Sequence, residues 1–428
     1  MKMKRYHLAL ALSLHVFYSY VVATTDPIAP VFASFESGSS KVVILTSDFT
    51  EQQVRTAIGE AKVNGTNPSK WVETIFFIEP GAQWTLTETL HIPDRVTLIG
   101  SNVDGEDYTF LRGFDGDDGS GNLTAMVELG RFCTIYGVVF DGNKHFFSGN
   151  GVHYSENTRE NLLTRVVIRN NSGNGMHWVN KSAYYSNYVN CSFINNDGYG
   201  IFYDQIGSHY TDNVFTLCEF SKNGLGGIGF QEKEESSVWE SCLFSENKGP
   251  AFHQLEVLDD PTGASYCLNI RNCEFITNDG PAWLNSHGFA RGIAFEDCAF
   301  QGNIASNSSY DGYGLFHVEN EVSSEDNPES GLNAEVRGGV IFADNSDYLM
   351  KVETIPDPDT GRTSDKLVVS GGGVIGMIDE GNVAAPGMTM IVLDSTLLSS
   401  SLVEGPDLDV KSLLSLDPAT GLSVAPDP

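Results

Sequence analysis

One short signature returns through the middle of this 428-residue chain: an apolar residue or Cys, any residue, Phe or Ile, two residues, then Asn. It runs from Val138/Phe140/Asn143 through Val166/Ile168/Asn171, Cys191/Phe193/Asn196, Cys218/Phe220/Asn223, Cys242/Phe244/Asn247, Cys273/Phe275/Asn278 and Cys298/Phe300/Asn303 to Val340/Phe342/Asn345. The interval is mostly about 25 residues, a solenoid spacing. Three residues before the first seven of these Cys or Val positions stands another large apolar residue, such as Tyr188, Phe215 or Trp239. A few residues after each Asn, a short segment opens on Gly or Ala, as in Gly151-Val-His-Tyr, Gly175-Met-His-Trp and Ala251-Phe-His-Gln. The local period is two, so each repeat is two or three very short strands joined by tight turns.

Strands this short cannot bury an apolar face alone, but stacked repeats build one continuous narrow core. Asn suits the corner of such a coil. It tolerates a left-handed backbone, and its amide bonds neighbouring main chain. Stacked amides also bond to one another. The expected fold is all-β, a coil of parallel strands, clearest over 138–345.

On these columns the chain resembles the right-handed parallel β-helix proteins of the pectin-lyase-like superfamily, over roughly Val42 to Asp394. The resemblance implies a single β-helix domain over 24–394 whose first rungs lie between Trp71 and Gly113. That fold carries lyases, hydrolases, epimerases, tailspikes and adhesins, so it implies no one activity. The polygalacturonase motifs G-H-G and R-I-K are only partly echoed, by Ser286-His287-Gly288 and Arg291-Gly292-Ile293. The D-P-H-D of alginate epimerases is absent.

The N-terminal residues read as an export signal over 1–23. Lys2, Lys4 and Arg5 precede an apolar run from Leu8 to Val22, with a small-residue cleavage site at Ala23. Export predicts an extracellular location and makes the sequons at Asn64, Asn122, Asn170, Asn180, Asn190 and Asn307 candidate glycan sites. The formal charge of −31 disfavours nucleic acid and anionic membranes as partners. It also disfavours a polyanionic sugar unless a cation bridges. No second long apolar run follows, so no stable membrane insertion is expected. Thr50-x-x-Gln53 is a capping box for an amphipathic helix over 50–64, whose apolar stripe would plug one end of the core. Lys366–Gly376 and Met388–Leu393 read as closing strands, and 395–428 as an acidic, loosely ordered tail.

Seven cysteines leave an odd thiol. Five share one column, where Cys fills a core slot as Val does elsewhere. Adjacent rungs at ~4.8 Å would also permit bridges between them.

Chemistry belongs on the outward face of the Gly/Ala-opened strands, where each rung adds one side chain to a ridge. The expected ridge is His153, His177, Phe202, Gly229, His253, Leu284 and Phe316, with Asp204, Gln231 and Ser286 two residues on and Glu232, Glu256, His287 and Glu319 at the rim. His177 or His253 would be a base and Asp204 its carboxylate partner or a cation ligand, the equipment for proton abstraction beside a carboxyl group. His153, Phe202, Gln231, Glu232, Glu256, His287 and Arg291 would hold a polysaccharide. Asp115, Asp117 and Asp118 form a loose candidate for calcium, departing from the D-x-D-x-D-G spacing. The expected function is therefore a secreted carbohydrate-active protein, lyase-, epimerase- or glycosidase-like. The alternative is a non-catalytic glycan-binding or matrix β-helix.

Overall fold

A computed structural model describes residues 35–37, 40–61, 73–101, 107–117, 123–154, 158–179, 183–204, 209–231, 233–255, 264–286, 289–304, 309–310, 313–319, 331–337, 341–343, 348–352, 366–370 and 389–392. The predicted export signal, the tail, Glu232, Glu256, His287 and Asp118 lie outside them.

The chain winds into a right-handed parallel β-helix. One rung shows the plan. Leu162–Thr164 lies in the first sheet, Val167–Arg169 in the second and Met176–Val179 in the third; a short strand, Ala183–Tyr184, then leads into the next rung at Asn187–Val189. The second and third sheets each hold ten strands among the described residues. Like stacks on like across the rungs: Phe193, Phe220, Phe244, Phe275 and Phe300 pair in register, with ring centroids 4.8–5.1 Å apart. Tyr188, Phe215 and Trp239 form a second stack on the first sheet. Burial of these rings is the main stabilising term, since each strand alone has too little apolar area to fold. The closing strands are present at Lys366–Ser370 and Thr389–Val392.

The asparagines form the ladder expected of them, but not at the turning residue. The left-handed φ of 52–57° belongs to the residue before, namely Asn170, Asn195, Lys222, Glu246 and Thr277. Among the described residues of this column, only Asn143 turns the corner itself. Freed from that geometry, Asn171, Asn196, Asn223, Asn247, Asn278 and Asn303 point into the core and are almost fully buried. Each Nδ2 donates to the next Oδ1 at 2.8–3.0 Å. Its other proton goes back to a carbonyl of the preceding rung, as from Asn247 to Phe220 O at 2.9 Å. A second polar ladder, which the sequence reading missed, runs through Asn161, Ser186, Asn213 and Ser237 at the entry to the first sheet.

All seven cysteines are free thiols. The column of five is buried, and each Sγ–H donates to a carbonyl of the preceding rung, as from Cys218 to Tyr188 O at 3.4 Å. The helix is shorter than predicted, Glu51–Gly59, and its capping box at Thr50 and Gln53 is formed. It closes at Gly59, where the Glu60 N–H bonds Thr56 O; the Asn64-Gly65 stop lies outside the described residues. Val54 and Ile58 are fully buried, against the strands Trp84–Leu86 and Leu90–Ile92 that begin the second and third sheets. Among the described residues no helix is long and apolar enough to cross a membrane.

Candidate functional site

The third sheet carries the ridge. Strand register aligns Glu128, His153, His177, Phe202, Gly229, His253, Leu284, His317 and Lys351 in one column. The last part departs from the sequence reading. Phe316 was expected outward, but it lies opposite Trp283 and is fully buried, which puts His317 on the ridge column. A slip of one residue exchanges the two faces of a strand. Arg291 is not on the ridge either. It belongs to Phe289–Glu296 in the first sheet, opposite Tyr266 and Asn333.

Two clusters form on this ridge. In the first, Asn150 fixes His177. The Asn150 Oδ1 accepts from the Asn174 N–H at 2.7 Å and its Nδ2 donates to Leu123 O at 2.9 Å, which sets the amide orientation. The same Nδ2 faces His177 Nδ1 at 3.1 Å, so Nδ1 is the acceptor and Nε2 carries the proton toward Asp204 Oδ2, 3.0 Å away. The His153 ring meets His177 edge-on at 4.9 Å, and Phe202 flanks it at 5.4 Å. Arg112, fully buried and with its guanidinium 4.7 Å from the Phe114 ring, adds positive charge beneath. Burial, the nearby His177 and Arg112 together pull the His153 imidazole down to about 3.

The second cluster was only half legible. His253 sits three rungs from His177, about 14 Å at the rung spacing. Asp204 is therefore the partner of His177 and not of His253. The partners of His253 are Tyr199, whose hydroxyl is 2.7 Å from Nδ1, and Ser286, whose Oγ is 2.8 Å from Nε2. Tyr199 starts two rungs away and reaches His253 across a rung written Gly226-Gly227-Ile228-Gly229. A Cβ on Gly229 would lie 2.9 Å from the Tyr199 and Phe202 rings, so the missing side chain is what lets the tyrosine lie flat there. Tyr199 stacks on Phe202 at 5.4 Å, joining the two clusters in one row of rings.

Behind His253 stands Glu319. Burial alone would raise its carboxyl, but hydrogen bonds from Tyr313 and Ser286, with His317 and His253 close by, outweigh it and hold the group below its ordinary value. The Tyr313 hydroxyl donates to Oε1 at 2.6 Å. An ionised carboxylate only accepts, so Ser286 donates to Glu319 and its Oγ accepts from His253 Nε2–H. Burial pulls the His253 imidazole down to about 4, with Glu319 opposing, so the ring is neutral at pH 7. Nδ1 is then a lone pair facing the Tyr199 hydroxyl. The directions agree along the whole chain: Tyr199 O–H to His253, His253 N–H to Ser286, Ser286 O–H to Glu319. Burial, then the neighbouring Tyr310, raises the Tyr199 phenol.

Of the remaining expectations, Gln231 is half-buried beside this cluster, its N–H bonded to Tyr203 O at 2.9 Å. Asp115 accepts from the Asp117 N–H at 3.2 Å and from the Ser148 hydroxyl; the latter is the chief reason its exposed carboxyl titrates below the ordinary value. Among the described residues no three His, Cys, Asp or Glu side chains group as a metal site.

The two depressed histidines make stability pH-dependent. Below their ordinary value of 6.5, the unfolded chain binds protons that folded His153 and His253 refuse until about pH 3 and 4. Stability is therefore full above pH 6.5 and lost as pH falls toward 4. The loss is on the order of 3 kcal/mol by pH 4, after discounting for partial exposure. Denaturant midpoints measured from pH 8 to 4 should show the fall, and His153→Phe should flatten it; an identical slope in that variant would contradict the account.

Residues 150–346 match the family model described as a right handed beta helix region. ORF18 of Geobacillus virus E2 superposes with a TM-score of 0.52 at 13% identity, over 78% of this chain and 61% of its own; the chain thus spans about three fifths of that protein. The A-module of the Azotobacter vinelandii mannuronan C-5 epimerase AlgE4 gives 0.51 at 12% identity, over 85% of this chain and 98% of the module. An alginate lyase from Paenibacillus sp. str. FPU-7 gives 0.43 at 10% identity, over 82% and 97%. At these identities the likeness is one of fold. No curated protein matches the chain.

Proposed function

We propose that this chain is a secreted enzyme that abstracts the proton beside a carboxyl group of an extracellular polysaccharide, with elimination of the glycosidic bond as the outcome. The observation that carries this reading is His253, held neutral between Tyr199 and Ser286 with Glu319 behind. A carbon acid gives its proton to the Tyr199 oxygen while the phenolic proton moves to His253 Nδ1, and Glu319 stabilises the imidazolium through Ser286. Hydrolysis fits less well. It needs two carboxylates within about 10 Å across the scissile bond. Among the described residues of the two clusters, the carboxylates Asp204 and Glu319 lie in rungs four apart, about 19 Å at the rung spacing.

A uronate polymer is the substrate class with an acidic carbon of this kind. The net charge of −31 opposes its approach, so added calcium should speed turnover by screening the two. The test is the purified chain incubated with pectate, mannuronan, polyguluronate and neutral glycans, with and without calcium. Ultraviolet absorbance reads unsaturated ends, and a reducing-sugar assay reads hydrolysis. Unsaturated ends are expected; reducing ends without unsaturation would overturn the reaction class. Binding without turnover is the second reading, favoured by the unbroken row of rings from His153 through His177 and Phe202 to Tyr199.

Gly229→Ala gives a separate check on the Tyr199 pose. Its methyl group cannot coexist with the two rings where they lie. Turnover should drop about 100-fold with the coil still folded. Wild-type turnover in that variant would mean that the Tyr199–His253 contact is dispensable.

A further inference from the structure

The residue at the head of each third-sheet strand repeats a pattern of its own. Three successive rungs read Gly149-Asn150-Gly151, Gly173-Asn174-Gly175 and Gly198-Tyr199-Gly200. The middle residues share one column, since the Gly151 N–H bonds Asn174 O and the Gly175 N–H bonds Tyr199 O, both at 2.9 Å. Tyr199 therefore occupies a slot that the two preceding rungs give to asparagine.

In that slot a side chain runs along the coil toward the next rung. Asn150 Oδ1 accepts from the Asn174 N–H at 2.7 Å, and Asn174 Oδ1 accepts from the Tyr199 N–H at 2.8 Å. The glycine ahead of each slot permits this approach. A Cβ on Gly173 would lie 2.2 Å from Asn150 Oδ1, and one on Gly198 would lie 2.4 Å from Asn174 Oδ1. Tyr199 follows the same direction with a longer side chain, so it passes the next rung and meets His253 in the one after. The column then continues as Gly226, Pro250 and Pro281. A Cβ on Gly226 would crowd the Tyr199 ring at 3.2 Å, and a proline has no N–H that a missing amide would have to serve.

The foot of this ladder is tied down. Asn150 is almost fully buried, and its Nδ2 lies on Leu123 O and faces His177 Nδ1. One amide thus holds the His177 ring on one side and, through Asn174, the main chain of Tyr199 on the other.

We propose that Asn174 is a positioning residue for Tyr199, a role that rests on the elimination reading above. Its Oδ1 fixes the Tyr199 main chain, and with it the origin of the ring that carries the hydroxyl to His253 Nδ1. A hydroxyl displaced by about 1 Å leaves hydrogen-bond distance of the imidazole, so the proton relay fails while the row of rings that would hold substrate persists. The supporting amide thereby governs the rate of the chemical step without entering it.

The test compares wild type, Asn174→Ala and Asn174→Asp. Aspartate keeps an acceptor for the Tyr199 N–H, and alanine removes it. Hydrogen exchange read by mass spectrometry follows the Tyr199 amide. Steady-state kinetics on polygalacturonate, polymannuronate and polyguluronate follow turnover, and a melting curve checks folding. Asn174→Ala should exchange the Tyr199 amide at least 10-fold faster and lower kcat at least 10-fold, with KM within about 3-fold. Asn174→Asp should bring exchange and kcat back to within about 3-fold of wild type, with KM raised because the new charge repels a polyanion. Unchanged exchange in Asn174→Ala would overturn the clamp whether or not the protein turns over. Faster exchange with wild-type kcat would overturn the positioning role and leave the elimination reading standing, as would an equal loss of kcat in both variants. A wild type that neither cleaves nor takes up deuterium at the carbon beside the carboxyl would overturn both. If Asn174→Ala fails to fold, Asn174→Leu, similar in shape and without an acceptor, gives the same comparison.

Discussion

Tyr199→Phe is expected to lower kcat about 1000-fold, with KM within about 3-fold and the melting temperature unchanged. The substitution removes one oxygen and leaves the ring, so the stack on Phe202 and the packing over Gly226 and Gly229 persist. What is lost is the hydroxyl 2.7 Å from His253 Nδ1, and with it the only step of the relay that faces substrate in this account. His253→Gln should match it, since a side-chain amide offers no basic nitrogen. His177→Gln should cost no more than about 10-fold, because His177 lies about 14 Å away and its proton is committed to Asp204. Steady-state kinetics on the cleaved polymer decide this. A Tyr199→Phe enzyme within about 10-fold of wild type would move the chemistry elsewhere, and an equal loss in His177→Gln would put it at the other cluster.

The largest expected effect on stability lies in the asparagine ladder. Asn247 accepts from the Asn223 N–H and from Asn223 Nδ2, both at 3.0 Å, and donates to Phe220 O and Asn278 Oδ1, both at 2.9 Å. No water reaches these groups, because Asn247 and its neighbours are fully or almost fully buried. Asn247→Ala removes all of these bonds and strands the Asn223 N–H with no acceptor. The expected cost is about 4 kcal/mol, near the upper end for one substitution. Asn171→Ala should cost about half as much, since Asn171 starts the ladder and its Oδ1 accepts no hydrogen bond. Chemical denaturation measures both. Equal costs for the two variants would mean that the ladder does not act as a chain of mutually satisfied amides.

The two predictions differ in how far the sequence foretells them. The ladder and the stacked rings are legible because a solenoid places like over like, so a column of residues in the sequence becomes a column in space. Even there the turning residue was misplaced by one. Asn171 reads as a corner residue, yet Asn170 takes the left-handed backbone, and in other rungs Lys222 or Glu246 does so. The corner asks only for a residue that tolerates the strain, whereas the buried slot after it requires an amide.

The relay was legible in His253, Ser286 and Glu319, which fall on the expected ridge and rim, but not in Tyr199. Nothing local in the sequence joins Tyr199 to His253, 54 positions apart. The link depends on a glycine-bearing rung between them, whose bare surface lets an aromatic ring cross. Gly226-Gly227-Ile228-Gly229 was the available signal, and it reads as a weak strand until the neighbouring ring is known to lie on it. His317 escaped for another reason. Trp283 lies opposite Phe316 and not Leu315, so a count of alternating positions started from Gly314 put Phe316 on the surface. Periodicity fixes faces only while the number of residues per rung is kept.

The most direct test of the proton-abstraction account is deuterium incorporation by the wild-type protein. Each uronate polymer is incubated with the purified chain in D2O and the recovered sugar is examined by proton NMR and mass spectrometry. The account predicts loss of the proton signal at the carbon beside the carboxyl, in unsaturated products or in uncleaved polymer, at a rate that falls about 1000-fold in Tyr199→Phe. Retention of that proton in every polymer while new reducing ends accumulate would contradict it, because a hydrolase never touches that bond.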